Sequence, residues 1–191
     1  VGFVEKLVGE KTYLTPLALE HAVLWHRWHS DLETALLAAS PGHRSPGSEG
    51  EFREVIETFI KRKWHPFLIV ESESDEPVGW CALVRVDPIA RRAELAALIG
   101  EKSRWAKGLG SDALRLLLDD GFTLLNLNSI ELIVHEDNAR AIRCYEKLGF
   151  QVVGRKREAR VHGPLKQDVL LMDILASEFT SHVVLPIIEA S

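Results

Sequence analysis

The sequence predicts an α/β (α+β) fold with a mixed, mainly antiparallel central sheet flanked by helices. Three observations predict it. Strand-like runs at 66–72, 77–86 and 91–99 follow one another across short turns, which implies antiparallel hairpins. Helical patterns precede and follow that run. The resulting order, β-α-α-β-β-β-α-β-α-β-β, lacks the regular alternation of a doubly wound fold.

The elements follow in chain order. Residues 6–15 read as a short strand pair around Gly9. Pro16 is expected to start a helix, with Leu17, His21, Leu24, Trp25 and Trp28 at helical spacing. Residues 40–50 are rich in Ser, Pro and Gly and read as irregular. A second helix is expected to put Phe52, Val55, Ile56, Phe59 and Ile60 on one face. The next strands turn at Ser74–Pro77 and at Asp87–Ala90, and Gly100 closes the set. A polar loop, 101–107, leads to Gly108-Leu109-Gly110. The long helix beyond carries Leu114, Leu117, Leu118, Phe122 and Leu125 on its buried stripe. A strand at 130–135 and a short helix at 138–148 come next, and Gly149 suits the helix end. A hairpin, 151–161 with 166–174, turns at Gly163-Pro164. The apolar tail 182–191 receives no assignment.

Composition narrows the function. The chain has 191 residues, 46% of them hydrophobic, enough for one domain with a full core. A formal net charge of −5 argues against general nucleic-acid binding, which needs a basic face. No apolar run is long enough to span a bilayer and no secretory signal is visible, so no membrane partner is expected. The two cysteines, Cys81 and Cys144, form no framework and suit a reducing compartment, so a cytoplasmic location is expected.

The loop before the long helix carries the first chemical signal. Gly108 and Gly110 let backbone amides approach a ligand, and a helix start offers unpaired N–H groups. Lys107 adds a cation. A pyrophosphate cradle and a plain helix-entry loop both fit. The string Gly108–Ala113 also fits the dinucleotide fingerprint G-x-G-x-x-A, which keeps a nicotinamide-dependent oxidoreductase in view. Against it, a polar loop separates Gly108 from its strand, and Glu131, about 20 residues on, starts a strand rather than ending one.

The motifs resemble the GNAT superfamily of acetyl-coenzyme-A-dependent N-acetyltransferases. The phosphate-loop pattern Gln/Arg-x-x-G-x-G/A is matched by Trp105-Ala106-Lys107-Gly108-Leu109-Gly110, with Trp105 in place of Gln or Arg. The segment Asn138–Phe150 is similar to N-x-x-A-x-x-x-Y-x-x-x-G-F. Residues 6–17 resemble the opening strand of the branch that acetylates ribosomal-protein N-termini and polyamines, with Thr15 where Arg is usual. The resemblance covers 6–177, read as one acetyltransferase domain, and leaves 178–191 as a tail. It implies a sheet splayed between the strands ending at Gly100 and starting at Ile130, with acetyl-coenzyme A in the V. It implies cofactor contacts from Leu98, Ile99, Trp105, Lys107, Gly108, Leu109, Gly110, Ser111, Asn138 and Tyr145. A strand bulge beside Leu98 and Ile99 is expected to turn amides toward the thioester.

Acyl transfer to an amine requires a base, a polarised carbonyl and an acid for the leaving thiolate. Glu94, on a strand face with Ala96 and Leu98, is the candidate base; its structural alternative is an ion pair with Arg91 or Arg92. Tyr145 is the candidate acid, and its alternative is a core residue with its hydroxyl at the rim. Asn138 either holds the cofactor's amide arm or caps the helix. Trp28, Asp31 and Glu33, with the loop 31–50, are candidates for the acceptor side. No metal site is expected, since His26 and His29 lack a third ligand. The expected partner is a primary amine, on a protein N-terminus or a small molecule, and a homodimer is the self-assembly kept open. A non-catalytic acyl-coenzyme-A-binding module is the alternative from another class.

Overall fold

The computed structural model describes residues 3–37 and 47–191. Its centre is one eight-stranded sheet in the order β1-β2-β3-β4-β5-β6-β8-β7. The first five strands are β1 (Leu7–Val8), β2 (Thr12–Pro16), β3 (Pro66–Glu71), β4 (Glu76–Asp87) and β5 (Arg92–Ile99). They form an antiparallel meander. After the helix α4 (Leu109–Asp119), β6 (Ser129–His135) pairs in parallel with β5. The hairpin β7 (Gln151–His162) and β8 (Leu165–Leu175) completes the sheet, with β8 against β6. Among the described residues the one parallel pair is therefore the β5–α4–β6 crossover.

Each face of the sheet has its own core, as strand alternation requires. Ala93 and Leu95 of β5 join Leu83, Ile130 and Leu132 beneath α4, where Ala113, Leu114, Leu117 and Leu118 are buried. On the other face Trp25, Trp28, Phe52 and Ile56 cover Leu68, Val70, Trp80 and Ala82. Those residues come from α1 (Ala22–Ser30) and α3 (Glu49–Lys61). The Trp25 and Trp80 rings stack with centroids 4.4 Å apart.

Several boundaries differ from expectation. Pro16 ends β2, where a ring fixed in φ and lacking an N–H closes the strand, and the helix begins only after a 3-10 turn at Leu19–His21. A further helix, α2 (Leu32–Leu37), was not expected; Asp31 starts it by accepting from the Thr34 amide at 2.9 Å. On α3, Val55 and Ile60 are 37% and 44% exposed, so the buried face is narrower than the expected five residues. The irregular stretch 40–50 overlaps residues 38–46, which lie outside the described residues.

The tail is ordered into a short helix, α6 (Val184–Glu189). Asp119, buried at the end of α4, accepts from the amides of His182, Val183 and Val184 at 2.9–3.2 Å and from the Ser181 hydroxyl. Just beyond Asp119 the chain makes one π-turn, Asp120–Leu124.

Candidate active site

The site is a fork in the sheet. β5 and β6 are joined only at Arg92–Glu94 with Ser129–Glu131. Past Glu94, β5 stays with β4 while β6 stays with β8. The strands part and leave an interior edge of unpaired backbone. The Ile99 carbonyl on that edge accepts from the Trp105 indole N–H at 2.7 Å. Because adjacent strand residues present their backbone groups to opposite sides, the amides of Ala97 and Ile99 face the gap and that of Leu98 turns to β4. This corrects the role expected of the Leu98 amide; the Leu98 side chain still lines the cavity. The expected bulge is displaced as well. Registry runs unbroken from Gly79–Ile99 to Val84–Glu94, and the irregularity falls just past Ile99, where the amides of Gly100 and Glu101 both donate to Val78.

A cavity of about 510 Å³ occupies the fork. At its mouth, Gly108 has φ +86° and acts as the N-cap of α4 without a side-chain cap. A left-handed residue here is cheapest as glycine. The amides of Leu109, Gly110 and Ser111 occupy the helical positions that cannot pair internally. A Cβ built on Gly110 would meet only the Ile99 side chain, at 3.5 Å, which is ordinary contact. Internal packing thus does not demand glycine at 110, whereas close approach of a phosphate would.

The Lys107 side chain is exposed and does not line the cavity. Its carbonyl accepts from the Lys11 ammonium at 3.2 Å, so Lys11 is a second cation at this loop. Asp112, in the first turn of α4, is engaged by the β1–β2 turn. Its carboxylate is buried and takes bonds from the amides of Glu10, Lys11 and Thr12 and from the Thr12 hydroxyl, at 2.8–3.3 Å. These bonds clamp the β1–β2 turn against the first turn of α4. Helix start, two lysines and a fully engaged carboxylate fit a pyrophosphate group.

The far wall comes from helix α5 (Ala139–Lys147). The Asn138 Oδ1 accepts from the Ala141 amide at 3.1 Å, so Asn138 caps the helix while also lining the cavity. Tyr145 lines the cavity and packs edge-on against Phe150. Burial, helped by Cys144, pushes its phenol above the ordinary value and keeps it protonated. Cys144 lies 3.1 Å from the Ser111 hydroxyl, tying α5 to the start of α4. Burial raises its thiol, which disfavours a nucleophilic thiolate. Arg140 lies over the Trp105 ring, 3.7 Å from its centre, and joins the two arms across the mouth. Neither Lys11 nor Arg140 was expected, because both act through partners remote in sequence.

On the opposite wall, Glu94 lines the cavity where the strands part. Its partner is Arg85, with Nη1 2.5 Å from Oε2, rather than Arg91 or Arg92. Arg91 instead donates to Asn126, and Arg92 faces Asp87. Trp28 is buried against Gly100, and its indole N–H donates to Glu101 at 2.8 Å. Asp31 and Glu33 both face the Lys102 ammonium, at 2.7 and 3.3 Å. That lysine and the helix cap hold the Asp31 carboxyl down to about 2. None of Trp28, Asp31 and Glu33 lines the cavity. Among the described residues no group of three His, Cys, Asp or Glu could hold a metal ion. No helix among them is long and apolar enough to cross a membrane.

Comparison with known proteins gives this arrangement a context. Residues 11–151 match the family model described as an acetyltransferase (GNAT) domain. An uncharacterized N-acetyltransferase, p20, of Bacillus licheniformis is 29% identical over 177 residues, covering 92% of this chain and 99% of that protein. The spermidine N(1)-acetyltransferase of Escherichia coli strain K12 is 42% identical over 104 residues, 54% of this chain and 55% of that enzyme. Among solved structures, spermidine N-acetyltransferase from Vibrio cholerae in complex with CoA and spermine superposes with a TM-score of 0.77 at 25% identity. It covers 88% of this chain and 97% of that one.

Proposed function

This chain belongs to the GNAT acetyltransferase family, and from that premise we propose that its acceptor is a small polyamine-like primary amine. It transfers acetyl from acetyl-coenzyme A to an amine. Membership sets aside the nicotinamide and binding-module readings. One observation carries the proposal beyond the family: a carboxylate and a phenol stand on separate arms of one cavity whose mouth is a helix start.

In the proposed mechanism the first-turn amides of α4, with Lys11 and Lys107, hold the pyrophosphate. The Ile99 and Ala97 amides donate to the thioester oxygen as it gains charge. Glu94 takes a proton from the ammonium, directly or through one water, and frees the nitrogen lone pair for attack. The new C–N bond forms as the C–S bond breaks and Tyr145 gives its proton to the departing thiolate; the proton still carried by the acylated nitrogen passes through water to the Tyr145 phenolate, and Glu94 releases its own to solvent. Asn138 caps the helix that aims Tyr145.

The named relatives favour a polyamine over a protein N-terminus, and the formal charge of −5 agrees with a cationic acceptor. Trp28, Asp31 and Glu33 enter as the outer wall of the acceptor side, where Lys102 must release the carboxylates before a substrate cation can use them. Residues 6–177 form the proposed catalytic unit. Two free cysteines suit a reducing cytoplasm, and the exposed edge strand β7 offers a surface to a second copy.

The test is thiol release with spermidine, an N-terminal peptide and a hydroxyl compound as acceptors. Spermidine should exceed the peptide in kcat/KM by about tenfold or more, a difference of about 1.4 kcal/mol. Preference for the peptide would move the proposal to N-terminal acetylation, and activity on the hydroxyl compound alone would end it.

A further inference from the structure

Arg85 is an unusual residue for its position in β4. Its φ is +51°, in the left-handed region that non-glycine residues avoid. It sits where the β4–β5 register breaks, between Val84 and Asp87. A bulge of this kind re-aims a side chain, and strained backbone of this kind gathers at functional sites. The side chain it re-aims is the one that meets Glu94.

The partners are unequal. The Arg85 side chain is 72% exposed and that of Glu94 is 19% exposed. A solvated arm therefore reaches from the rim to a largely buried carboxylate, and both residues line the cavity. A carboxylate so buried needs a cation beside it. A pair with one solvated partner holds weakly, so this cation can be exchanged for another at small cost.

We propose that Arg85 is a positioning residue that takes the place of the acceptor's ammonium on Glu94 between turnovers and yields it when the amine arrives. The proposal rests on the reading of Glu94 as the base. Arg85 keeps the carboxylate paired and aimed in the free enzyme. The incoming ammonium replaces one cation with another, so Glu94 is not left unpaired at any stage. The cost of this arrangement is competition: the amine binds less tightly than the carboxylate alone would allow, and acetyl-coenzyme A is unaffected.

The experiment is steady-state kinetics with spermidine and acetyl-coenzyme A on the parent, Arg85→Met, Arg85→Lys, Glu94→Gln and the double variant Arg85→Met/Glu94→Gln. Arg85→Met should lower the spermidine KM about two- to fivefold, the scale of an ion pair with one solvated partner. The KM for acetyl-coenzyme A should stay within about twofold, and Arg85→Lys should restore parent behaviour. A structural defect would raise KM instead of lowering it. The fall in KM should vanish in the Glu94→Gln background. An unchanged or raised spermidine KM in Arg85→Met overturns the proposal, as does an equal fall when Glu94 is absent. Should Arg85→Met melt early, Arg85→Gln takes its place with the same expectation. Glu94→Gln alone judges the underlying reading: its rate should fall by about 10²–10⁴, with a smaller loss at high pH where free amine is abundant. Parent-like turnover there would remove Glu94 as the base, an outcome distinct from any result with Arg85.

Discussion

On one side of the cavity, Gly108 to Ser111 and the helix Ala139–Lys147 present amides, a capped helix start and a phenol. On the other side, Glu94, Arg85, Trp80 and Leu98 present side chains drawn from two strands. The first side is built from contiguous segments whose geometry is local: a left-handed glycine, an uncapped first turn, an Asn cap. The second is built from residues that meet only after β4 and β5 pair with a break in register. A wall of the first kind suits a constant ligand recognised through its phosphates and amides. A wall of the second kind can change acceptor by changing a few side chains and leaving the backbone alone.

If that contrast is right, damage on the two sides should separate binding from chemistry. Beside Glu94, the largest effect is expected at Tyr145, which lines the first side and is proposed to act on the reaction. Tyr145→Phe keeps the ring against Phe150 and removes the donor. Turnover should fall about 100-fold or more, at least about 2.7 kcal/mol of barrier. Affinity for acetyl-coenzyme A, measured by calorimetry, should move less than about twofold if the phenol acts only on the leaving group. Turnover within a few-fold of the parent would make Tyr145 a packing residue and leave water as the acid.

The next effect should fall on binding alone. Gly110→Val places carbon where the proposed phosphate site meets the first turn of α4. The dissociation constant for acetyl-coenzyme A should rise about ten- to 100-fold, or about 1.4–2.7 kcal/mol, while thermal stability stays near the parent's. The Cβ at 3.5 Å from Ile99 Cγ1 is the reason stability should hold. Unchanged affinity in a folded variant would refute the phosphate assignment.

The smallest effect on the reaction should come from outside both walls, where the change falls on stability alone. Burial pushes the Asp119 carboxyl up, but hydrogen bonds from Ser181, Val183, Val184 and Thr123 outweigh it and hold it below its ordinary value. A carboxyl depressed in the folded state adds stability above its unfolded value, near 3.9, and loses it as pH falls through the folded value. Asp119→Asn should therefore cost about 1–3 kcal/mol at pH 7. The gap to the parent should narrow below about pH 4. Chemical denaturation at both pH values measures it, and a gap independent of pH would show that the charge on Asp119 does not matter.

The same contrast explains what could be read from sequence. The loop at Gly108 and the helix from Asn138 to Leu148 were legible because their geometry is encoded in consecutive residues, and the structure places both on the cavity. The hairpins were legible from their turns. What escaped depends on partners far apart in the chain. Arg85 was not seen as Glu94's partner, because the break in register that brings them together leaves no mark on the alternation of residues. The stack of Arg140 on Trp105 and the approach of Lys11 to Lys107 escaped for the same reason. On α3, apolar spacing suggested a five-residue face, but the partner surface covers only its centre and leaves Val55 and Ile60 in solvent. The helix Leu32–Leu37 was missed because its start signal, Asp31, was read as a ligand for a substrate cation.

The short contact between β5 and β6 has a further consequence for how the protein holds together. Three residue pairs join one half of the sheet to the other, and the rest of the β5 edge lacks a neighbouring strand. An extended ligand arm with amides of its own, laid along that edge, supplies the absent hydrogen-bond partners and acts as a surrogate strand. Ligand binding then becomes completion of the sheet. Amide hydrogen exchange at Ala97 and Ile99 reports whether the surrogate is in place. Beside the three rungs, the core beneath α4 and the Arg140–Trp105 stack hold the two halves of the sheet together, so the stability of the sheet and occupation of the fork share one seam.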